Sequence, residues 1–238
     1  MPAFPLLSSE HLNNEGYLMK LHRAQVMILA SQLLLASMAS GQTYKVENAG
    51  APPAQLSKPL QDALESQGTR VVNDQGGTLL EVWLAKTLPT NSSASPSSDF
   101  LYPSLSAGEF LGVLHFTNPG ADFRGQVIKA GFYTLRYGLI PQDGNHMGVN
   151  PTRDVVVLCP AGADNDLGTA LKFDDLVKLS RQASGTPHPG FLLGAPVNGD
   201  SSPAVVKDDQ GHWNLQVKVH GSSGDLPFAF TIVGKWEG

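Results

Sequence analysis

The sequence predicts a mainly β protein, an antiparallel β-sandwich of jelly-roll-like topology with two short α-helices. Gly and Pro are abundant, at 25 and 17 of 238 residues, which suits a fold with many turns. Many segments alternate apolar and polar residues with a period of two, as do strands with one buried and one solvated face. Helical periodicity is confined to two short segments, so strands dominate the prediction.

The first segment along the chain resembles a signal peptide and spans residues 19–41. Lys20 and Arg23 precede an apolar stretch, residues 26–36, and small residues follow up to Gly41. This order fits a basic start, an apolar centre and a small-x-small cleavage site. A membrane anchor is the alternative, but a spanning helix needs about 20 apolar residues and this stretch has roughly half that length. We therefore expect export to the periplasm or the cell exterior.

The remainder of the chain is divided accordingly. Residues 1–18 are expected to be an upstream extension that is not translated or not structured. Residues 42–238 are expected to form a single β-sandwich domain. Within it, the Ser-rich stretch at 89–99 predicts a flexible loop, because strand patterns lie on both sides of it.

Both helical segments have recognisable ends. The first begins at Ser57, contains an early Pro59 and ends before Gly68. The second begins at Phe173, with acidic residues in its first turn and basic residues in its last, and ends before Gly185. Both helices are therefore predicted to be short.

Strands are predicted between turn-forming residues. In 212–220, Trp213 shares an apolar face with Leu215, whereas Asn214 and its alternate neighbours share a face expected to be wet. The run 155–159 is apolar throughout, which predicts a central strand covered on both sides. The predicted strands are 43–48, 69–73, 78–88, 109–117, 126–140, 154–159, 190–194, 203–207, 212–220 and 227–236.

The alternation also predicts core residues and one conflict. The conflict is Arg136, which lies on the opposite strand face from Tyr137. Its charged side chain must reach solvent or pair with a carboxylate, and Asp122 and Asp154 are the nearest carboxylates in sequence. The predicted core contains the large apolar residues of three strands: Tyr133, Leu135, Tyr137, Trp213, Val217, Phe228, Phe230 and Ile232.

Composition excludes several functions. The net charge of −5 argues against nucleic acid as a partner. The single Cys159 excludes a disulfide framework and a site built from several thiolates, and a blue-copper site would need a His soon after it. The sequence has no G-x-S-x-G, H-E-x-x-H, Walker or G-x-G-x-x-G motif, so an enzyme is the less favoured class. No membrane span is expected after signal cleavage.

Two polar segments are candidate binding loops, because binding residues concentrate on loops carried by a rigid scaffold. In the second segment, 185–190, His188 lies between two prolines that would hold it stiffly. The same residues also suit a rigid connection between elements. The first segment, 141–154, combines charged and metal-ligating side chains among turn formers: Asp143, His146, Met147, Arg153 and Asp154.

A metal site is one interpretation of these loops. His146, Met147 and His188 are ligand types that suit copper or zinc if the two loops meet in the fold. The sequence requires no cofactor. His212 and His220 are separated by about 27 Å along an extended strand, at about 3.4 Å per residue, so they are not expected to share a metal ion. His115 is expected to be a hydrogen-bonded core or edge histidine.

The chain resembles a family of uncharacterised secreted bacterial proteins. The resemblance rests on an RGQ-x-I-K-x-G-x-YTLRYG strand, a P-x-DG-x-HMG loop and a TRD-x-x-x-L-x-P strand within residues 121–164. The GTPHPG segment at 185–190 and the EVWL strand at 81–84 are similar to that family too. The resemblance implies export and a β-rich class, and it implies no reaction, cofactor or catalytic residue.

Three functions follow as hypotheses. The first is an exported, non-catalytic module that binds a small molecule or an envelope protein through loops 141–154 and 185–190. The second is a copper- or zinc-binding protein that uses His146 and His188. The third is a hydrolase of unrecognised type in which His146 acts as a base.

Overall fold

The computed structural model describes residues 42–95, 97–143 and 152–235. Over these residues the chain forms twelve strands and two helices. The helices are α1 (Lys58–Ala63) and α2 (Phe173–Ser184). The strands are β1 (Tyr44–Gly50), β2 (Gly68–Asn73), β3 (Thr78–Leu84), β4 (Phe110–Phe116), β5 (Gly120–Ala121), β6 (Val127–Ile128), β7 (Gly131–Leu139), β8 (Asp154–Pro160), β9 (Phe191–Ala195), β10 (Ala204–Lys207), β11 (Trp213–Gly221) and β12 (Gly224–Val233).

Ten of these strands form one antiparallel sheet in the order β1-β2-β3-β4-β7-β8-β9-β12-β11-β10. The sheet curls until its two outer strands approach one another, so that it is nearly a closed barrel. Near the gap between the outer strands β1 and β10, the ring of Tyr44 lies edge-on to that of Trp213, with ring centroids 5.4 Å apart. The prediction of a mainly β fold with two helices is confirmed, but two separate packed sheets are not shown. Alternation gives each strand an apolar face and does not specify whether those faces meet across a sandwich or inside a curled sheet.

Most strand boundaries lie within two residues of the predictions, but the strand predicted at 78–88 ends at Leu84 and the one predicted at 227–236 spans Gly224–Val233. Two further differences concern the elements themselves. The segment predicted as one strand at 126–140 is divided into β6 and β7, separated by Lys129 and Ala130. The two-residue β5 was not predicted, and it pairs with β6 to form a small hairpin. The turn of this hairpin, residues 122–126, later forms part of the candidate site.

The core of the barrel contains the predicted large residues. Tyr137, Phe228 and Phe230 are almost fully buried, and Ile232 is slightly less so. Trp213 was predicted to be a core residue but is only partly buried, and the Nζ atom of Lys207 lies 5.6 Å from its ring centroid. The face of β11 predicted to be wet is also partly covered: Gln216 is buried, and its side-chain amide exchanges hydrogen bonds with the backbone of Asn198.

β8 is covered on both sides, as its unbroken apolar run predicted. Val156 and Leu158 pack into the barrel core. Val155 and Val157 point the other way and pack with Leu176 of α2. Helix α2 therefore lies on the outer face of the sheet, over the strand that separates it from the core.

Both helices form where they were predicted. α1 is shorter than its pattern because Leu64 leaves the helix to pair with Ala85 as an isolated β-bridge. α2 ends at Gly185, which has the left-handed φ of 66° that favours glycine at a helix C-terminus. Phe173, at the start of α2, is 45% exposed.

Arg136 is fully buried on the outer side of β7, and its carboxylate partner is Asp164. The predicted candidates Asp122 and Asp154 were therefore wrong, because a loop distant in sequence folds over this face. The guanidinium binds both carboxylate oxygens, with Nε and Nη2 at 2.8 and 2.7 Å. Its remaining donors bind backbone carbonyls of Gly108, Asp166 and Thr169. This arrangement fixes the loop that leads into α2.

The predicted signal peptide at 19–41 and the extension at 1–18 lie outside the described residues. Among the residues that the structure describes, no helix has the length and apolar character to cross a bilayer.

Candidate functional site

The structure separates the predicted site residues into distinct environments. Residues 144–151 lie outside the described ranges, so the predictions for His146 and Met147 are not addressed there. Asp143 is exposed at the end of the described part of the loop. Arg153 closes the base of the loop: its Nε donates to the carbonyl of Ile140 at 2.9 Å, and its own carbonyl accepts from the Ile140 backbone N–H at 2.8 Å.

Asp154 is fully buried and organises the fold around it. Its carboxylate accepts from the backbone N–H groups of Leu101 and Tyr102 at 2.8 and 3.2 Å, and from the hydroxyl groups of Tyr137 and Thr152 at 2.6 and 2.8 Å. Burial and this carboxylate raise the pKa of Tyr137. A carboxylate with four internal donors is engaged in structure, and we give it no part in ligand binding.

A pocket lies beside α2 at the point where the two predicted binding segments meet. Its volume is about 290 Å³. Pro141, at the start of one segment, and the Pro187–Pro189 stretch of the other both border it. The other lining residues come from the 122–126 turn, β7, β8, α2 and β9: Arg124, Gly138, Leu139, Ile140, Val155, Val157, Phe173, Asp174, Leu176, Val177, Arg181 and Phe191.

The floor of the pocket is apolar because it is the outer face of β8. Val155 and Val157 lie there opposite Leu176 of α2. Gly138 on β7 keeps this space open, since a Cβ atom at that position would lie 3.0 Å from a methyl group of Val157 and 3.1 Å from one of Val155. A larger residue at position 138 would therefore intrude on the floor.

The polar wall of the pocket contains Arg124, held by the turn between β5 and β6. The Asp122 carboxylate fixes this turn by accepting from the backbone N–H groups of Arg124 and Gln126, at 3.0 and 2.8 Å, and from the Gln126 side chain. The Arg124 guanidinium lies over the ring of Phe191, with Cζ 4.9 Å from the ring centroid. It also donates through Nη2 to the carbonyl of Pro189.

Arg124 is incompletely paired. Its nearest carboxylate oxygen, on Asp122, is 3.7 Å from Nη2. Its Nε is buried and has no acceptor among the described residues. Burial lowers the pKa of Arg124, and the charge of Asp122 opposes that change. The pocket therefore places next to an apolar floor a cation whose Nε has no acceptor among the described residues.

The turn that carries His188 is held by hydrogen bonds with two hydroxyl side chains. The Ser184 hydroxyl at the end of α2 donates to the carbonyl of His188 at 2.6 Å. The Thr186 hydroxyl accepts from the backbone N–H of His188 at 3.1 Å and lies 2.6 Å from the side-chain oxygen of Gln126. His188 itself is exposed at the rim.

Three other histidines each have their own partner. His115 lies 3.0 Å from Glu81 and stacks on a neighbouring phenylalanine, consistent with the prediction of a hydrogen-bonded histidine. His212 and His220 pair with separate carboxylates, Asp208 and Asp225. Within residues 42–95, 97–143 and 152–235, no group of three or more His, Cys, Asp or Glu side chains is arranged to hold a metal ion. The copper or zinc hypothesis thus depends on His146 and Met147.

Two larger clefts of about 620 and 650 Å³ lie elsewhere on the surface. Neither is lined by a predicted site residue that the structure describes. The first lies between the Ser-rich loop and the β11–β12 hairpin, and the second lies beside the turn at Asp208. The pocket beside α2 is smaller but combines an apolar floor with charged groups, as ligand sites do.

Sequence reasoning did not identify Arg124, Phe173 or Arg181 as site residues. Arg124 occurs in the RGQ part of the family resemblance, but no periodicity distinguishes a residue in an irregular turn. Comparison of the chain with protein-family models, with curated proteins and with solved structures finds no match. The resemblance to a secreted bacterial family therefore stays an expectation.

Proposed function

We propose that this protein is an exported, non-catalytic binding module that holds a small, partly apolar ligand in the pocket beside α2. One observation carries the proposal: residues of both predicted binding segments border a single cavity whose floor is apolar. Burial of apolar ligand surface there contributes about 25 cal/mol per Å² before the costs of association.

The lining favours binding over nucleophilic catalysis. The described wall contains no hydroxyl, thiol or amine side chain, and its carboxylate, Asp174, and its imidazole, His188, are both exposed to solvent. A hydrolase of the hypothesised kind needs a nucleophile or an activated water within hydrogen-bond reach of its base. The described residues of this pocket supply a shaped apolar surface instead.

Titration with N-phenyl-1-naphthylamine, a neutral dye that fluoresces in apolar sites, tests the proposal. Val177 lines the pocket, whereas Lys178 is the next residue of α2 and lies outside it. We expect saturable binding to the natural chain, a loss of at least about tenfold in affinity for Val177→Trp, and no loss for Lys178→Trp. Melting temperatures of the three proteins verify folding. Absence of saturable binding, or equal binding by Val177→Trp, would refute this site.

Export is proposed on the composition of residues 19–41 and has its own test. N-terminal sequencing of protein recovered from the periplasm or medium is expected to show a start after Ala39 or Gly41, the two small-x-small positions. Recovery of the protein only inside the cell, with its N-terminal segment intact, would contradict export.

A further inference from the structure

We propose that the pocket beside α2 recognises amphipathic monocarboxylates, with the Arg124 guanidinium binding the ligand's acid group. The inference rests on the proposed function and specifies its ligand class. It begins from the state of Arg124, which is positioned by several contacts yet lacks a close carboxylate partner.

The donors of Arg124 are directed by its contacts. The guanidinium lies over the ring of Phe191, with Cζ 4.9 Å from the ring centroid. A planar guanidinium makes its hydrogen bonds at its edge, and an edge-on carboxylate matches that geometry with two parallel bonds. One Nη2 donor is occupied by the Pro189 carbonyl, and the side chain remains 27% exposed. A ligand can therefore reach the guanidinium from the pocket.

Asp122 does not remove the need for an external anion. Its carboxylate already accepts from two backbone N–H groups and from the Gln126 side chain, and it approaches Arg124 only to 3.7 Å. A half-buried cation with such a partner gains from a closer carboxylate, because charges interact more strongly where water is excluded.

The charges around the pocket indicate a single negative charge on the ligand. The lining contains two arginines, Arg124 and Arg181, against one carboxylate, Asp174. On the lining itself the arginines exceed the carboxylates by one charge, and Asp122, which lies 3.7 Å from Arg124, already accepts from two backbone N–H groups and the Gln126 side chain. A monoanion matches that excess of one positive charge, whereas a dianion would exceed it, so a monoanion fits this pocket better.

The size of the pocket limits the apolar part of the ligand. A volume of about 290 Å³ corresponds to about ten water-sized units of ~30 Å³ each, and hence to a ligand of about ten non-hydrogen atoms. The acid group would lie at Arg124, and the apolar chain would extend over Val155 and Val157. Octanoate has this size and charge, and octanamide is its neutral isostere.

Competition for the bound neutral dye, confirmed by calorimetry, tests the inference. On the natural chain we expect octanoate to bind about 10- to 100-fold more tightly than octanamide, the range expected for a charge-assisted hydrogen-bond pair. Arg124→Gln and Arg124→Met are expected to reduce that ratio to within about threefold of unity while still binding the dye. The Met variant preserves packing against Phe191, so it serves if the Gln variant does not fold.

Lys178→Gln is the matched control, since it removes a cation of α2 that lies outside the pocket and is expected to leave the ratio unchanged. Equal binding of octanoate and octanamide by the natural chain would overturn the inference but leave the proposed function intact. Retention of the ratio by a folded Arg124 variant would overturn it too. Failure of the dye and both competitors to bind would instead refute the proposed function.

Discussion

The buried pair of Arg136 and Asp164 offers the sharpest test of the fold. Their side chains are 0% and 2% exposed, and Asp164 accepts two bonds from the guanidinium and one from the hydroxyl of Thr134. In Asp164→Asn, an amide NH2 group replaces one carboxylate oxygen, so that at least one of these three hydrogen bonds is lost. The amide NH2, a donor, then faces the donor that the carboxylate oxygen had accepted from. The charge of Arg136 also loses its buried counterion.

The expected cost of Asp164→Asn is about 3–5 kcal/mol, the range for breaking a buried pair by neutralising one partner. Each buried donor left unsatisfied costs about 1–3 kcal/mol, and the loss of one or two donors together with the counterion gives the same range. For a domain of this size, a change of 1 kcal/mol shifts the melting temperature by about 2–4 °C, so a fall of about 6–20 °C is expected. Urea denaturation followed by circular dichroism measures the free energy directly.

Asp166 provides the matched control two residues away. Its backbone carbonyl binds Arg136, whereas its side chain belongs to an exposed residue and the ion pair of Arg136 is made with Asp164. Asp166→Asn is therefore expected to change the free energy of unfolding by no more than about 0.5 kcal/mol. The double variant Arg136→Met with Asp164→Leu should recover only part of the loss, because no charge is then buried alone but the carbonyls of Asp166 and Thr169 lose their donor. If Asp164→Asn were within about 1 kcal/mol of the natural chain, the reasoning about this pair would be wrong.

Three further predictions concern other parts of the structure. Burial raises the pKa of Cys159 to about 12, so we expect no reaction with a thiol-specific disulfide reagent in the folded protein near neutral pH. The main cause that raises the pKa of His220 above 6.5 is the hydrogen bond that its Nδ1 donates to the Asp225 carboxylate. The stabilising contribution of this bond is fully present below about pH 6.5 and is lost as the pH rises through the folded-state pKa, so His220→Gln should remove that part of the stability–pH curve. A Cβ atom at Gly194 would lie 2.6 Å from the Cβ of Asp154, so Gly194→Ala is expected to lower the free energy of unfolding by about 1–3 kcal/mol.

Each of these three predictions has its own control. Cys159 should react fully in concentrated urea, and rapid labelling of the folded chain would contradict its burial. A natural chain whose stability is flat between about pH 6 and 8, the range around the ordinary His value, would contradict the role given to His220. Gly162 has no atom within 4 Å of a built Cβ, so Gly162→Ala should leave stability nearly unchanged; equal effects of the two glycine changes would refute the steric argument.

The local elements could be predicted from sequence because their signals are local. The apolar face of 212–220 predicts β11, and the unbroken run 155–159 predicts the doubly covered β8. Helix α2 follows from its charged ends and from Gly185. The wet face assigned to Gln216 was wrong because a segment from elsewhere in the chain covers it, which alternation within one strand does not encode.

The candidate site could be predicted only in outline. Two loops were identified by composition, and Pro141 and His188 border the same pocket. Asp154 was selected from the same composition, yet it is buried beneath the residues that it anchors. Arg124 carries the inferred ligand contact and was not selected, because its importance comes from lying over Phe191 rather than from its neighbours in sequence.

By itself, then, the sequence determined where most of the strands and both helices form, and which large apolar side chains most of those strands bury. Those properties depend on residues a few positions apart, whose periodicity is fixed by backbone geometry. The tertiary structure alone decided that ten strands share one nearly closed sheet, that Arg136 pairs with Asp164, and that two distant loops and α2 enclose a pocket. Such contacts join residues far apart in the chain. They form only when the whole chain folds, because apolar faces must then be buried while every buried charge finds a partner.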